Sequence, residues 1–379
     1  MRLRKGATRR GVRRPEEQTL PPETNPIAEV DRTGARCGCE VRAENSGKRK
    51  ANEGLRVPFT RCYAPLAVLA AGLLAAGCGQ GASGGLGDGS HGGKLEVVAS
   101  TTQISDFVRT VGGEEVDVHQ ILRPNTDPHE YEPRPEDVEA TAGARIVFEN
   151  GDNLDRWMGE VVEQSGGDPR VMDLGTGVPV KLPGESGGPE GSRYDPHWWH
   201  DPKNAEAAVR EIRDALARAD PKDERSYRKN AGAYLAKLKK LDKGIASCMD
   251  EVPEGERKLV TDHDAFSHFA KRYGVEVVGA VIPSQSTEGQ PSAGEISDLV
   301  SLVERENVKA VFPESSINPD LARQIARQTG ASANYTLYGD TLGPEGSDGD
   351  TYLGMEAHNA TAMVEGFTGG KRTCSIPAG

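Results

Sequence analysis

The sequence predicts an α/β protein of two lobes, each built on a mostly parallel sheet, with one long helix between them that could hold them at a fixed separation, the alternative being an ordinary surface helix of one lobe. Three observations predict it. From Leu95 onward, short apolar runs alternate with helical patterns. After Cys248 the alternation starts again. Between the two, an apolar stripe steps by four and three through Tyr227, Ala231, Tyr234, Leu238, Leu241 and Ile245. Strands alternating with helices imply parallel pairing with helices on both faces. A stripe of about 27 residues makes a helix of roughly 40 Å, long enough to run along both lobes.

Residues 1–60 are rich in Arg, Pro and Glu and lack apolar periodicity, so they can bury no core. The run from Ala64 to Gly77 is apolar and uncharged. It is too short to span a bilayer and has the length of a secretion signal's apolar region. It ends in Ala75-Ala76-Gly77-Cys78, which resembles the bacterial lipobox with Cys78 as the lipidated residue, although Leu stands at 74 rather than 75. Residues 1–77 are therefore expected to be an N-terminal extension plus a lipoprotein signal peptide, with translation starting near Val57. Residues 78–94 are a flexible Gly/Ser tether, in which His91 is incidental.

The first lobe is expected over 95–220. Leu95–Ser100, Val116–Leu122 and Arg145–Glu149 read as strands. Thr101–Gly112, Pro135–Ala142 and Asn153–Gln164 read as helices, the second with Pro at its head. Residues 182–193 have no apolar anchor and are expected to be mobile. Asp201-Pro202 starts a helix with Val209, Ile212 and Leu216 on one stripe. The linking helix covers 221–247. The second lobe is expected over 248–379. Its strands are Lys258–Thr261, Val275–Ile282, Val308–Pro313 and Ala333–Leu337. Its helices are Ala265–Tyr273, stopped by Gly274, Ser292–Glu306, Asp320–Thr329 and Thr351–Phe367.

Charge is unevenly spread. Residues 1–77 hold 15 Lys or Arg and 8 Asp or Glu, so the remainder of this chain of net charge −12 carries −19. An acidic body argues against nucleic acid as a partner and suits a protein that meets cations. The same charge also serves solubility.

Ligands of parallel α/β sheets bind at the carboxyl ends of the strands. Three histidines and one carboxylate fall there. His129 lies in Asn125–Pro133 (NTDPHEYEP), and His197 in Tyr194–Pro202 (YDPHWWHDP), which holds two of the three tryptophans. His263 follows the first strand of the second lobe, and Asp340 follows its last. Two come from each lobe, and together they make a full tetrahedral shell for Zn²⁺. His200 is expected to cap or orient rather than to bind. His119 lies in a strand and is expected not to be a ligand, and His268 and His358 are expected to pack or to face solvent.

These segments, together with TDHDAFSHFAKRYG, VFPESS and LYGDTLG, occur in order from residue 95 to about 368. In this the chain resembles the metal-receptor lipoproteins of zinc and manganese ABC importers, the TroA-like solute-binding proteins of the cluster A-I type. The resemblance implies a metal in the cleft between the lobes, held by His129, His197, His263 and Asp340. It places Glu314 near that cleft, as a partner for a histidine ring. Zinc receptors of this type carry His at the third ligand position, where manganese receptors tend to carry Glu. His263 therefore implies Zn²⁺ as the transported ligand, with Mn²⁺ or Fe²⁺ as the alternative, and imidazole suits zinc. The long His-rich loop of many zinc receptors is absent, since 182–193 contains no histidine.

The resemblance thus implies an extracytoplasmic receptor, a monomer lipid-anchored to the outer face of the cell membrane, that passes its metal to a permease. Binding should weaken as the pH falls and the histidines protonate. Two rival readings are weaker. A zinc hydrolase would need an open coordination position, which Asp340 closes, and no HExxH-type pair is present. A surface adhesin is supported by no motif. Of the cysteines, Cys37 and Cys39 lie in the extension, Cys62 in the signal, and Cys78 at the lipidation point. In an exported protein the remaining pair, Cys248 and Cys374, is expected to form one disulfide.

Overall fold

The computed structural model describes residues 93–187 and 191–376. The signal-like run, Cys78 and nearly all of the expected tether lie outside the described residues. Among the described residues no helix is long and apolar enough to cross a membrane.

The first lobe carries a four-stranded parallel sheet, β1 (Leu95–Ala99), β2 (Val116–Gln120), β3 (Ile146–Glu149) and β4 (Arg170–Asp173), in the order β2-β1-β3-β4. Val97 and Ala99 of β1, Ile146 and Phe148 of β3 and the buried face of α1 (Thr102–Gly112) share one core. Thr101 caps α1, its hydroxyl accepting from Ile104 N at 3.3 Å. α2 is Pro135–Gly143 and α3 is Trp157–Ser165. α3 begins four residues later than the apolar pattern suggests. Gly151, Asp152 and Asn153 all take positive φ there, which breaks a right-handed helix. β4 has no counterpart among the expected strands, because its residues are largely exposed and lack an apolar run.

Residues 182–193, expected to be mobile, are held at their base. Pro183 and Tyr194 form an antiparallel bridge, and Gly184 N donates to Arg193 O at 3.0 Å. α4 (Pro202–Ala219) comes next, N-capped by Asp201. Then comes α5 (Glu224–Asp250), 27 residues long, with the expected stripe from Tyr227 to Ile245 buried.

The second lobe pairs β5 (Lys258–Thr261) in parallel with β6 (Glu276–Ala280). α6 (Ser267–Tyr273), α7 (Ala293–Arg305) and α8 (Asp320–Thr329) surround this pair in sequence order. The segments expected as strands at 308–313 and 333–337 join the sheet only through isolated parallel bridges, Thr261 to Phe312, Ala310 to Ser332 and Glu314 to Leu337. Pro313 has no N–H to donate, which interrupts a continuous ladder.

The last helix, α9 (Tyr352–Thr368), makes the spine double. Its first turn packs on α1, with the Phe107 and Tyr352 rings 4.8 Å apart. Its end packs on the second lobe, with Phe312 and Phe367 5.6 Å apart. A disulfide joins Cys248 at the end of α5 to Cys374 beyond α9, with Cα atoms 5.8 Å apart. The largest core cluster runs without a break from β1 and β3 through α4 and α5 to α6 and α9.

Candidate metal centre

His129 follows β2, His197 precedes α4, His263 follows β5, and Asp340 follows the bridge at Leu337. Their ligand atoms all lie within 4.8 Å of one another, and all four residues are buried. His197 Nε2 is 3.3 Å from His263 Nε2. Asp340 Oδ1 is 3.5 Å from His197 Nε2 and 3.4 Å from His263 Nε2. A tetrahedron with metal–ligand bonds of about 2.0–2.1 Å has edges of about 3.3–3.4 Å. Three of the four donors therefore already stand at the spacing that one small cation requires. Neither oxygen of Asp340 receives a hydrogen bond, although both are buried. Such a group is costly unless a cation completes it.

Each of two rings is aimed by a carboxylate. His197 Nδ1 faces Asp195 Oδ1 at 2.8 Å, and His197 N donates to the same oxygen at 2.9 Å. His263 Nδ1 faces Glu314 Oε1 at 3.0 Å, and His263 N donates to that oxygen at 2.9 Å. A ring that gives its Nδ1 proton to a carboxylate presents the Nε2 lone pair inward. Glu314 thus stands beside a histidine ring, as the family resemblance implied. Asp195 is absent from the residues singled out by sequence, although its position two residues before His197 is the one local signal available. Gly339 leaves room beside this pair, since a Cβ there would force Glu314 Oε2 to shift. Asp127 turns the His129 loop by accepting from His129 N at 2.9 Å.

Electrostatics follow the geometry. Burial by itself would raise the Asp340 carboxyl, but the imidazole of His263, then those of His129 and His197, hold it well below its ordinary range. Burial would lower His263, but Asp340 and Glu314 overcome that and push it well above the usual imidazole value. The carboxylates thus favour positive charge on His263.

The structure does not bring His200 into the ligand set. It is fully buried, with Nδ1 2.8 Å from Glu356 Oε1 and Nε2 3.1 Å from Gly339 O. It holds the backbone beside Asp340. His268, expected to pack, does so 4.0 Å from Asp195, and burial pushes it down to about 4. His119 sits 3.0 Å from Asp137, and His358 Nε2 lies 3.0 Å from Thr336 O. Trp198 and Trp199 are buried beside the cage, and their indole N–H groups donate to Asn150 O and Gly339 O. On the outer side, a cleft of ≈ 280 Å³ is lined by His129, Asn153, Glu185, Ser284 and Glu288 among others.

Two parallel α/β lobes on a helical spine, with a buried cage of three imidazoles and one carboxylate between them, define a metal-binding solute receptor. The chain belongs to the family described as ZnuA, zinc-uptake complex component A, periplasmic, which matches residues 97–366. Members are the substrate-binding receptors of metal ABC transporters and not enzymes. The chain is 33% identical to the manganese-binding lipoprotein MntA of Halalkalibacterium halodurans over 79% of its own length and 97% of the relative's. It is 34% identical to the iron ABC transporter substrate-binding lipoprotein MtsA of Streptococcus pyogenes over 72% and 89%. Among solved structures, the periplasmic zinc binding protein TroA of Treponema pallidum aligns with a TM-score of 0.68 at 29% identity, covering 73% of this chain and 99% of that one.

Proposed function

We propose that this receptor captures Zn²⁺ outside the cell with His129, His197, His263 and Asp340 and delivers it to the permease of an ABC importer. The observation that carries the reading is the donor set. Three imidazoles and one carboxylate, with His197, His263 and Asp340 already at tetrahedral spacing, suit a small borderline ion, whereas Mn²⁺ favours more oxygen and more ligands. No bond is made or broken in the cargo. Affinity comes from imidazoles already aimed by Asp195 and Glu314, and from burial that keeps water out. Lipidation at Cys78 would hold the receptor at the outer face of the membrane, with the Gly/Ser stretch as its tether and the receptor acting as a monomer.

The names of relatives that bind manganese and transport iron support a second reading, a Mn²⁺ or Fe²⁺ receptor of the same design. Purified protein stripped with a chelator and titrated with each cation separates the readings. One Zn²⁺ per chain, bound more tightly than Mn²⁺, is expected. Tighter Mn²⁺ binding would overturn the choice of zinc, and Zn²⁺ binding unaffected by His197→Ala would overturn the site.

A further inference from the structure

Asp340 lies late in the sequence, beyond every strand of the second lobe, yet its loop is fastened to the first. Gly339 O accepts from Trp199 Nε1 at 3.2 Å. Asp340 O accepts from Gln103 Nε2 of α1 at 2.9 Å. Thr341 Oγ1 accepts from Asn125 N at 3.0 Å, and Leu342 N donates to Thr102 Oγ1 of α1 at 2.8 Å. The first turn of α9 extends this attachment. Tyr352 N donates to Asp106 Oδ2 at 3.2 Å, and its hydroxyl to Trp199 O at 2.7 Å.

One residue earlier the partners change side. Leu337 N donates to Pro313 O at 2.8 Å, and Ser315 N donates to Leu337 O at 2.9 Å. Tyr338 exchanges bonds of 2.9 and 2.8 Å with Asn359, further along α9. Leu337 is thus bonded to the second lobe, Tyr338 to the shared helix α9, and the loop from Gly339 onward to the first lobe.

Thr102, Gln103, Trp199 and Thr341 are all buried. Pulling the loop away would strand several polar groups at once. The contacts that join the lobes at the mouth of the cleft are of another kind. Thr287 Oγ1 donates to Asp127 at 2.7 Å, Ser284 Oγ to Glu185 at 2.7 Å, and Arg156 pairs with Glu288 at 2.9 Å. Thr287 is buried, but the other side chains in these contacts are partly or largely exposed, and pairs of that kind contribute little.

We propose that Asp340 is in mechanical terms a ligand of the first lobe, positioned by Gln103 and Thr102. Opening of the cleft then parts His263 alone, with Glu314 behind it, from a set of three ligands that stays together. The inference rests on the metal site proposed above. Capture would begin on the half-site of His129, His197 and Asp340, and His263 would close it. Release would begin with withdrawal of that one imidazole.

Pulsed EPR distances test this on the full chain. Nitroxides are carried on a genetically encoded keto side chain at the exposed positions Glu114, Glu345 and Asp298, so the cysteines stay untouched. On removal of Zn²⁺, the 114–345 distance is expected to stay constant while 114–298 and 345–298 both change. A 345–298 distance that stays constant while 114–345 changes would overturn the proposal, and so would the absence of any change. Zn²⁺ titration of the same preparations keeps the two ideas apart, since failure to bind one ion per chain would refute the site and not the mechanics. In Gln103→Met, which keeps the length but not the donor, Zn²⁺ should still bind one per chain yet leave about tenfold faster or more. The visible bands of the Co²⁺-loaded variant should also shift. Unchanged release and unchanged bands would refute the positioning role.

Discussion

Asp195 Oδ1 lies 2.8 Å from His197 Nδ1, with both side chains wholly buried. The contact spans only two residues of sequence, yet it decides which nitrogen of the ring faces the cage. Replacing Asp195 with Ala should weaken Zn²⁺ binding by about 10–100-fold and leave the stoichiometry at one. Asp195→Asn, which keeps an acceptor oxygen, should lose less. Competition against a chromogenic chelator measures both. An unchanged affinity in Asp195→Ala would show that the ring needs no such support.

His263 should decide the choice of metal. A carboxylate at that position adds a harder ligand, so His263→Glu is expected to lower Zn²⁺ affinity and raise the affinity for Mn²⁺ relative to it. Parallel titrations with the two cations read the ratio. A ratio that does not move would place selectivity elsewhere in the cage.

Glu149 gives a prediction about pH. Burial, then the nearby carboxylates of Asp155 and Asp173, push it up to about 8. A carboxyl whose value is raised in the folded state holds its proton more tightly there than in the unfolded chain. Its contribution is therefore intact below its unfolded value and is lost as the pH rises towards 8. Glu149→Gln should stabilise the fold at about pH 9 by on the order of 1–3 kcal/mol and have little effect at about pH 4. Urea unfolding at the two pH values tests the sign. Equal effects at both would refute it.

The disulfide between Cys248 and Cys374 closes a separation of 126 residues. In the chain-entropy account such a closure contributes about 4–5 kcal/mol, an upper figure. Replacing both cysteines with Ser should lower the urea midpoint strongly while Zn²⁺ stoichiometry stays at one. Tail and spine meet at this bond, and neither cysteine belongs to the cluster of candidate ligands. A variant that loses zinc but not stability would contradict that separation.

Much of the fold is legible in the sequence because its signals are local. The stripe from Tyr227 to Ile245 repeats at helical spacing over the whole of α5, and it is buried as the spacing requires. The strands β1, β3 and β5 are short apolar runs, and such runs pair wherever helices can cover them. β4 is invisible because an edge strand with exposed side chains carries no apolar signature. The start of α3 differs from expectation because apolar spacing says nothing about the positive φ angles at 151–153.

The candidate site divides along the same line. By itself the sequence determined the order of elements and the four residues that lie close together, because parallel α/β folds put strand-end loops on one side. Apart from Glu314, which the family resemblance already placed beside a histidine ring, only the tertiary structure decided how those residues are held. Glu314 reaches His263 across 51 residues, and Gln103 reaches the backbone of Asp340 across 237. Such bonds depend on side-chain direction in a packed interior, and no local pattern of polarity records them. Under the proposal above, the lobe to which Asp340 is fastened is set by these buried hydrogen bonds and not by its place in the chain.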